Sequence, residues 1–337
     1  MKRLWRSWCV FLLSGTALAA PASPSLRIYF IDVEGGQSTL VVAPTGEALL
    51  IDAGWEDTRD AGRIAATARA AGVTAIDALL VTHFHRDHAG GVANLAGRLP
   101  IRAVYDHGEN SENYKGSAEV MAAYRTATAG MRHTVPRPGD KIPIRGIDIT
   151  VITAGGKRID TPLPHAGARN EVCGAENRKP DEQSENASSI GILVQFGNFR
   201  MLDLSDVLWN QELDLMCPVN RIGPAGLLVV SHHGKDTSNS GTLIRAVHPR
   251  VAIMDNSESK GGSPATFGIL RNSPGFEDLW QLHYSIAAGN RNTPEKFIAN
   301  PQGVCNGSGI QVVAAKDGSF RVINERSHLE KMYAATE

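Results

Sequence analysis

The sequence predicts an α/β fold in which two β-sheets pack together and are covered by helices. Three observations predict it. Strand-like segments fall into two groups, one on either side of a long polar stretch, and helical segments are interspersed in both. Several of the strands are short continuous apolar runs, the pattern of strands buried on both faces. The chain is 337 residues long, 42% hydrophobic and 20% charged, an ordinary globular composition with enough length for one large domain.

The elements follow in order. Leu26 to Val33 alternates and is rich in β-formers, as a strand does. Ser38 to Val42 and Ala48 to Asp52 make two more, with the turn residues Pro44-Thr45-Gly46 between them. Thr58 to Ala71 is an alanine-rich helix with a cap at Thr58 or Asp60 and a stop at Gly72. Ala78 to Thr82 is a buried strand, Ile101 to Tyr105 another, Ser117 to Thr128 a helix and Ile147 to Ile152 a strand. From Pro162 to Glu185 the chain is polar and aperiodic, a long loop of the kind found near functional sites. Strands resume at Ser189 to Phe196, Phe199 to Leu204, Leu227 to Val230 and Val251 to Met254. Helices fit Val207 to Met216 and Thr242 to Val247, and strand signals return at Gly309 to Ala314 and Phe320 to Asn324.

The first nineteen residues read as a secretory leader, and residues 20–337 as one domain. Lys2, Arg3 and Arg6 precede a short apolar core that begins at Trp8, and Ala17-Leu18-Ala19 fits a signal-peptidase site. An uncleaved anchor is the competing reading, but the apolar run is short of the roughly 20 residues a span needs. No other apolar run approaches that length, so no transmembrane domain is expected after cleavage, and a periplasmic or secreted location follows. Losing Lys2, Arg3 and Arg6 takes the formal charge from −1 to −4. That mildly acidic body lacks the electrostatic footprint of a general nucleic-acid binder. Cys173, Cys217 and Cys305 allow one disulfide and one leftover thiol in an exported protein, with the pairing open.

The chemistry gathers after strands. Leu79-Leu80-Val81-Thr82 runs directly into His83-Phe84-His85-Arg86-Asp87-His88, and Ala89-Gly90-Gly91 opens a turn into a helix. Imidazoles at i and i+2 of an extended segment point to one side and can converge on one metal ion. The following turn brings Asp87 and His88 to a second position. Imidazole and carboxylate suit zinc, and also iron or manganese.

This run resembles the signature of the metallo-β-lactamase superfamily, and more closely that of the ComEC-type metal-hydrolase domain. Four further segments carry the resemblance: Phe30 to Ser38, Leu49 to Gly54, Phe199 to Asp206 and Val230-Ser231-His232-His233-Gly234. The resemblance implies a four-layer αββα sandwich and a hydrolase holding two ions, zinc with manganese or iron as alternatives. It implies His83 and His85 at the first ion, Asp87 and His88 at the second, and Asp206 bridging. One of His232 and His233 completes the second position. His232 is preferred because it directly follows the strand, which leaves His233, with Asp87, for orienting substrate or moving a proton. Asp52 is expected to fix a ligand imidazole, with turn capping as the alternative.

One departure stands out. Where most zinc-dependent members carry a further histidine, this chain has Asn186, a weaker ligand; His165 in the nearby loop is a remote substitute. The change argues against efficient lactam hydrolysis. His107, after Tyr105-Asp106, either lines the cleft or serves its turn. Lys235, Thr237 and Ser238 either bind an anionic oxygen or are solvated. Lys260-Gly261-Gly262 lacks phosphate-loop spacing and reads as a loop. Trp280 to His283 reads as core. The ComEC-type resemblance implies a phosphodiester, in a small molecule or a nucleic acid, as the substrate, with lactone, lactam or thioester, or a non-catalytic metal-binding module, as alternatives.

Overall fold

The computed structural model describes residues 24–303 and 305–335. The leader expected at 1–19 lies outside them. Among the described residues two sheets form. The first has nine strands in the order Glu330–Tyr333, Phe320–Asn324, Ile310–Ala314, Leu26–Phe30, Thr39–Val42, Ala48–Ile51, Ala78–Leu80, Ala103–Tyr105 and Arg132–Thr134. The second has eight, in the order Ile298–Asn300, Asp278–His283, Val251–Met254, Leu227–Val229, Phe199–Asp203, Gly191–Phe196, Asp148–Ala154 and Lys157–Arg158.

Side-chain alternation explains the layering. Leu26, Ile28, Phe30, Val41 and Leu80 of the first sheet meet Val194, Met201, Val229, Ile253 and Trp280 of the second in one buried core between the sheets. The intervening residues point outward. Leu40, Leu50 and Leu79 pack beneath the helices Thr58–Ala70 and Ser117–Thr128, against Ile64, Ala68 and Tyr124. Leu202, Leu228 and Met254 pack beneath Trp209–Met216, Gly241–Val247 and Pro264–Arg271, against Leu215, Leu243 and Phe267. The result is the αββα sandwich. The central strands serve two cores, which is why their apolar runs are continuous, whereas Leu26–Phe30, Ile310–Ala314 and Phe320–Asn324 alternate.

Helix ends match the sequence signals. Asp57 caps the first helix by accepting the Asp60 N–H, one residue before the expected cap. Several elements carry too little periodicity to be read in advance. Arg132–Thr134 and Glu330–Tyr333 are polar edge strands. Asp278–His283 is buried despite its polar residues, because Gln281 accepts from Thr293 and Trp280 Nε1 donates to Tyr333. Pro264–Arg271 begins with proline after a Ser263 cap, a helix start hidden in a glycine-rich stretch. The cysteine pairing is Cys173–Cys217, with Cα atoms 5.8 Å apart, and Cys305 is free. The bridge fastens the long polar insertion to the end of helix Trp209–Met216.

Candidate metal centre

Topology brings the chemistry to one edge. Ala48–Ile51, Ala78–Leu80 and Ala103–Tyr105 are parallel, as are Phe199–Asp203, Leu227–Val229, Val251–Met254 and Asp278–His283. Asp52, His83, Asp206, His232, His233 and Asp255 all follow the carboxyl ends of these strands, where parallel sheets place ligands. The chain turns sharply there. Asp52, Ser205, His232 and His233 hold φ of 58, 51, 53 and 54°, in the left-handed region that costs a non-glycine residue about 1–3 kcal/mol. Four such residues around one cluster mark a site whose geometry is fixed against local preference.

The hydrogen bonds fix the imidazole tautomers. His88 Nδ1 lies 2.7 Å from Asp52 Oδ2 and donates to it, so its Nε2 lone pair faces inward. Asp52 is held in turn by the Thr82 N–H and hydroxyl at 2.8 and 2.7 Å. His83 Nδ1 donates to the Thr82 hydroxyl at 3.1 Å, which turns its Nε2 inward. His85 Nε2 faces Glu112 Oε2 at 3.2 Å, leaving Nδ1 as its inward atom. His233 Nδ1 faces the Asp255 carbonyl at 3.3 Å and carboxylate at 3.4 Å.

Two pairs of opposed lone pairs result. His83 Nε2 and His85 Nδ1 are 3.0 Å apart, and His88 Nε2 and His233 Nε2 are 3.3 Å apart. Asp87 Oδ2 lies 3.3 Å from His88 Nε2 and 3.2 Å from His233 Nε2. Asp206 Oδ2 stands among all of them, 3.5–3.8 Å from Nε2 of His83, His88, His232 and His233. Asp206 Oδ1 and Asn186 Oδ1 are buried without a hydrogen-bond partner. Facing lone pairs, buried carboxylates and orphaned oxygens repel one another unless cations lie between them. The donor set therefore fits metal ions at two positions.

The charge state agrees. Burial raises the Asp206 carboxyl, but His232, His88 and His233 outweigh it and hold it well below the usual range. Asp87 is held well below its range against burial by His88 and Lys260. Burial lowers His88, yet Asp206, Asp87 and Asp52 push it well above the ordinary imidazole value, so the field that would draw a metal ion to its Nε2 draws a proton there instead. Burial, aided by His88, takes His83 well below that value. Both carboxylates thus stay charged and demand positive charge at the centre.

Residues 31–168 match the family model of the metallo-beta-lactamase superfamily. Over this segment the chain is similar to that superfamily. Members of the metallo-β-lactamase superfamily are mostly metal-dependent hydrolases, and the chain is read as an enzyme of that class. It is 26% identical to the competence protein ComA of Neisseria gonorrhoeae over 253 residues, which cover 74% of this chain and 30% of that one. It is 33% identical to a hydroxyacylglutathione hydrolase of Erwinia tasmaniensis over 79 residues, 23% of this chain and 25% of that one. The chain thus spans under a third of either relative. Among solved structures, the metallo-β-lactamase fold protein YhfI of Bacillus subtilis aligns with a TM-score of 0.47 at 11% identity, covering 76% of this chain and 96% of that one.

The turn His83 to His88 enters the cluster as a unit, and Asp206 meets it from the second sheet. The histidine pair is the correction. His233, not His232, joins Asp87 and His88 in one donor group. The expectation assumed that the strand runs on extended into His232. Instead two consecutive left-handed residues curl the chain and swing His233 inward. His232 Nδ1 turns to Thr237 Oγ1 at 2.9 Å, and its Nε2 meets Lys235 Nζ at 3.1 Å and Asn186 Nδ2 at 3.5 Å. Burial takes His232 down to about 4, so it is neutral at pH 7. Asn186 is buried beside His232. His165 is exposed at a left-handed turn packed on Gly223. His107 does not join the donors. Its Nε2 pairs with buried Glu185, which also accepts the Phe84 and Ser111 N–H groups. It therefore buttresses the His83–His85 backbone. Sequence reasoning missed Glu112, Glu185, Asp255 and the reach of Lys260. None lies in a motif, and only the tertiary fold brings them to the histidines.

Proposed function

We propose that this protein is an exported hydrolase that uses two metal ions to cleave phosphodiesters. The observation that carries the reading is the pair of opposed imidazole couples about Asp206, a donor set for two ions sharing one carboxylate. When bound, such ions would supply a water acidified from about 15.7 to about 7 and positive charge for the attacked and leaving oxygens, the chemistry that an in-line displacement at phosphorus needs. His83, His85, Asp87, His88, His233 and Asp206 would hold them, zinc by ligand type, with manganese or iron as alternatives. Asp52 keeps His88 in the Nδ1–H tautomer. His232, neutral and tied to Thr237 and Lys235, takes the substrate-orienting place first given to His233. Asp87 Oδ2, in hydrogen-bond reach of Lys260 and held well below its usual range, serves as a charged ligand rather than as the proton acceptor first expected of it.

Export is supported by the leader-like residues 1–19 and by the Cys173–Cys217 bridge, which suits an oxidising compartment. Among the described residues no helix is long and apolar enough to cross a membrane.

The similarity to the hydroxyacylglutathione hydrolase favours a second reading, a thioester or related carbonyl substrate. Elemental analysis and a substrate panel separate the two. Metal-loaded protein should carry close to two ions per chain and cleave bis-nitrophenyl phosphate or DNA. If it left both intact while opening a lactone or thioester, the carbonyl reading would replace this one. Bound metal with no activity on any of them would make it a metal-binding module.

A further inference from the structure

Two lysines outside the family-like motifs bring their ammonium groups to the donor cluster from different loops. Lys260 Nζ donates to Asp87 Oδ2 and, at 2.7 Å, to the Gly35 carbonyl, and it stands 5.2 Å above the Trp55 ring. Lys235 Nζ lies 3.1 Å from His232 Nε2. Neither head is sealed in. The Lys260 side chain is one-quarter exposed and Lys235 is half-buried, so each faces both the cluster and the solvent.

Their positions are built. The Lys260 N–H donates to Ser257 Oγ at 2.9 Å, and the Lys260 carbonyl accepts the Ser257 N–H at 3.0 Å. The next residues close on His233 itself. Gly262 N–H donates to the His233 carbonyl at 2.9 Å, and a Cβ on Gly261, at φ +81°, would lie 2.0 Å from that oxygen. Only glycine permits this approach, so Lys260 leaves the backbone at a point fixed by a donor residue. The Lys235 N–H donates to the His232 carbonyl at 2.9 Å, and its carbonyl accepts from the buried side chain of Asn239 at 3.0 Å.

Two divalent ions would already more than offset Asp87 and Asp206. Two further ammonium groups give the mouth an excess of positive charge that a neutral lactone or thioester does not need. An anionic ester does, because each of its free oxygens takes a charge-assisted hydrogen bond. We propose that Lys235 and Lys260 form an ammonium pair that binds the anionic oxygens of the substrate's phosphate group and so selects phosphate esters over neutral carbonyl substrates. The inference rests on the phosphodiesterase reading for its substrate, but its test does not depend on turnover.

The test uses metal-loaded protein, inorganic phosphate as the probe, and the variants Lys235→Met, Lys260→Met and Lys260→Arg. Calorimetry reads phosphate binding, emission spectrometry reads metal content, and thermal melting reports folding. Each methionine variant should keep the wild-type metal content and bind phosphate at least about tenfold more weakly, the loss expected of one charge-assisted hydrogen bond. In diester hydrolysis KM should rise about as much while kcat changes less, and Lys260→Arg should restore most of both. Unchanged phosphate affinity in both methionine variants would overturn the pair, even if the wild type cleaves diesters. Loss of metal from Lys260→Met would overturn it too, by showing that the lysine only positions Asp87. Should a methionine variant fail to fold, Lys260→Arg decides, since it must retain phosphate binding. A wild type that binds phosphate through these lysines yet cleaves no diester would leave the pair standing and remove the phosphodiesterase reading.

Discussion

The two imidazole couples differ in how they are supported. His88 and His233 are fully buried, with buried Asp52 and Asp255 behind them and Asp87 alongside. His83 is as buried, but it leans on the neutral hydroxyl of Thr82. His85 is 21% exposed, and its partner Glu112 is 31% exposed. Where a further histidine would strengthen the couple, Asn186 stands instead. A buried carboxylate raises the basicity of its imidazole more than a hydroxyl or a solvated carboxylate does. The comparison teaches that the couples are chemically alike but should hold their ions with unequal strength, His88–His233 more tightly.

The sharpest way to break this comparison is His88→Ala. That change removes a member of both donor groups, and it should cost more than the roughly hundredfold of a lost outer partner. Metal content should fall well below two ions with no tight site left. A tight site that survives would mean the couples are independent.

Removing the outer partners one at a time sharpens it. Asp52→Ala should weaken the tighter ion by about 10–100-fold, whereas Glu112→Ala, at a partly solvated position, should cost less than about tenfold. Competition with a chelating dye ranks the two, and equal losses would contradict the asymmetry. In the opposite direction, Asn186→His should tighten the weaker ion by about tenfold while leaving the tighter one unmoved. Titration of the variant with zinc would show the two binding steps drawing together.

How much of this could be read from the chain alone follows from what each part depends on. His83 to His88 was legible because the donors of one turn are adjacent in sequence and follow a buried strand. Asp206 was legible through the strand that delivers it. The choice between His232 and His233 was not, because it depends on two left-handed residues whose conformation is imposed by packing on Gly261 and Gly262. The sandwich was legible because strands serving two cores must be apolar throughout. Arg132–Thr134 and Glu330–Tyr333 were not, since edge strands with exposed faces carry no such demand.

The smallest effect tests the scaffold beneath the His232–His233 turn. Glu212 is buried and accepts the N–H groups of Asn239 and Ser240 at 2.8 and 2.6 Å, and Asn239 Nδ2 in turn donates to the Ser231 carbonyl at 2.8 Å. Burial pushes the Glu212 carboxyl up to about 7. A folded value above the unfolded one means that its contribution is full below about pH 4.5 and is lost as pH rises through 7. Denaturant unfolding should show wild-type stability declining across this window by on the order of 1 kcal/mol more than in Glu212→Gln. Parallel curves would place the charge elsewhere.

The strand Leu26–Phe30 lies inside the first sheet, with Thr39–Val42 on one flank and Ile310–Ala314 on the other. Its second neighbour is therefore supplied only after the whole intervening chain has been made. Until that late segment arrives, an apolar strand keeps an open hydrogen-bonding edge, and the inter-sheet core lacks Ile310, Val312 and Phe320. The inter-sheet core therefore closes late, through a contact between segments far apart in the chain, so its formation is slowed by the entropy of closing that long loop.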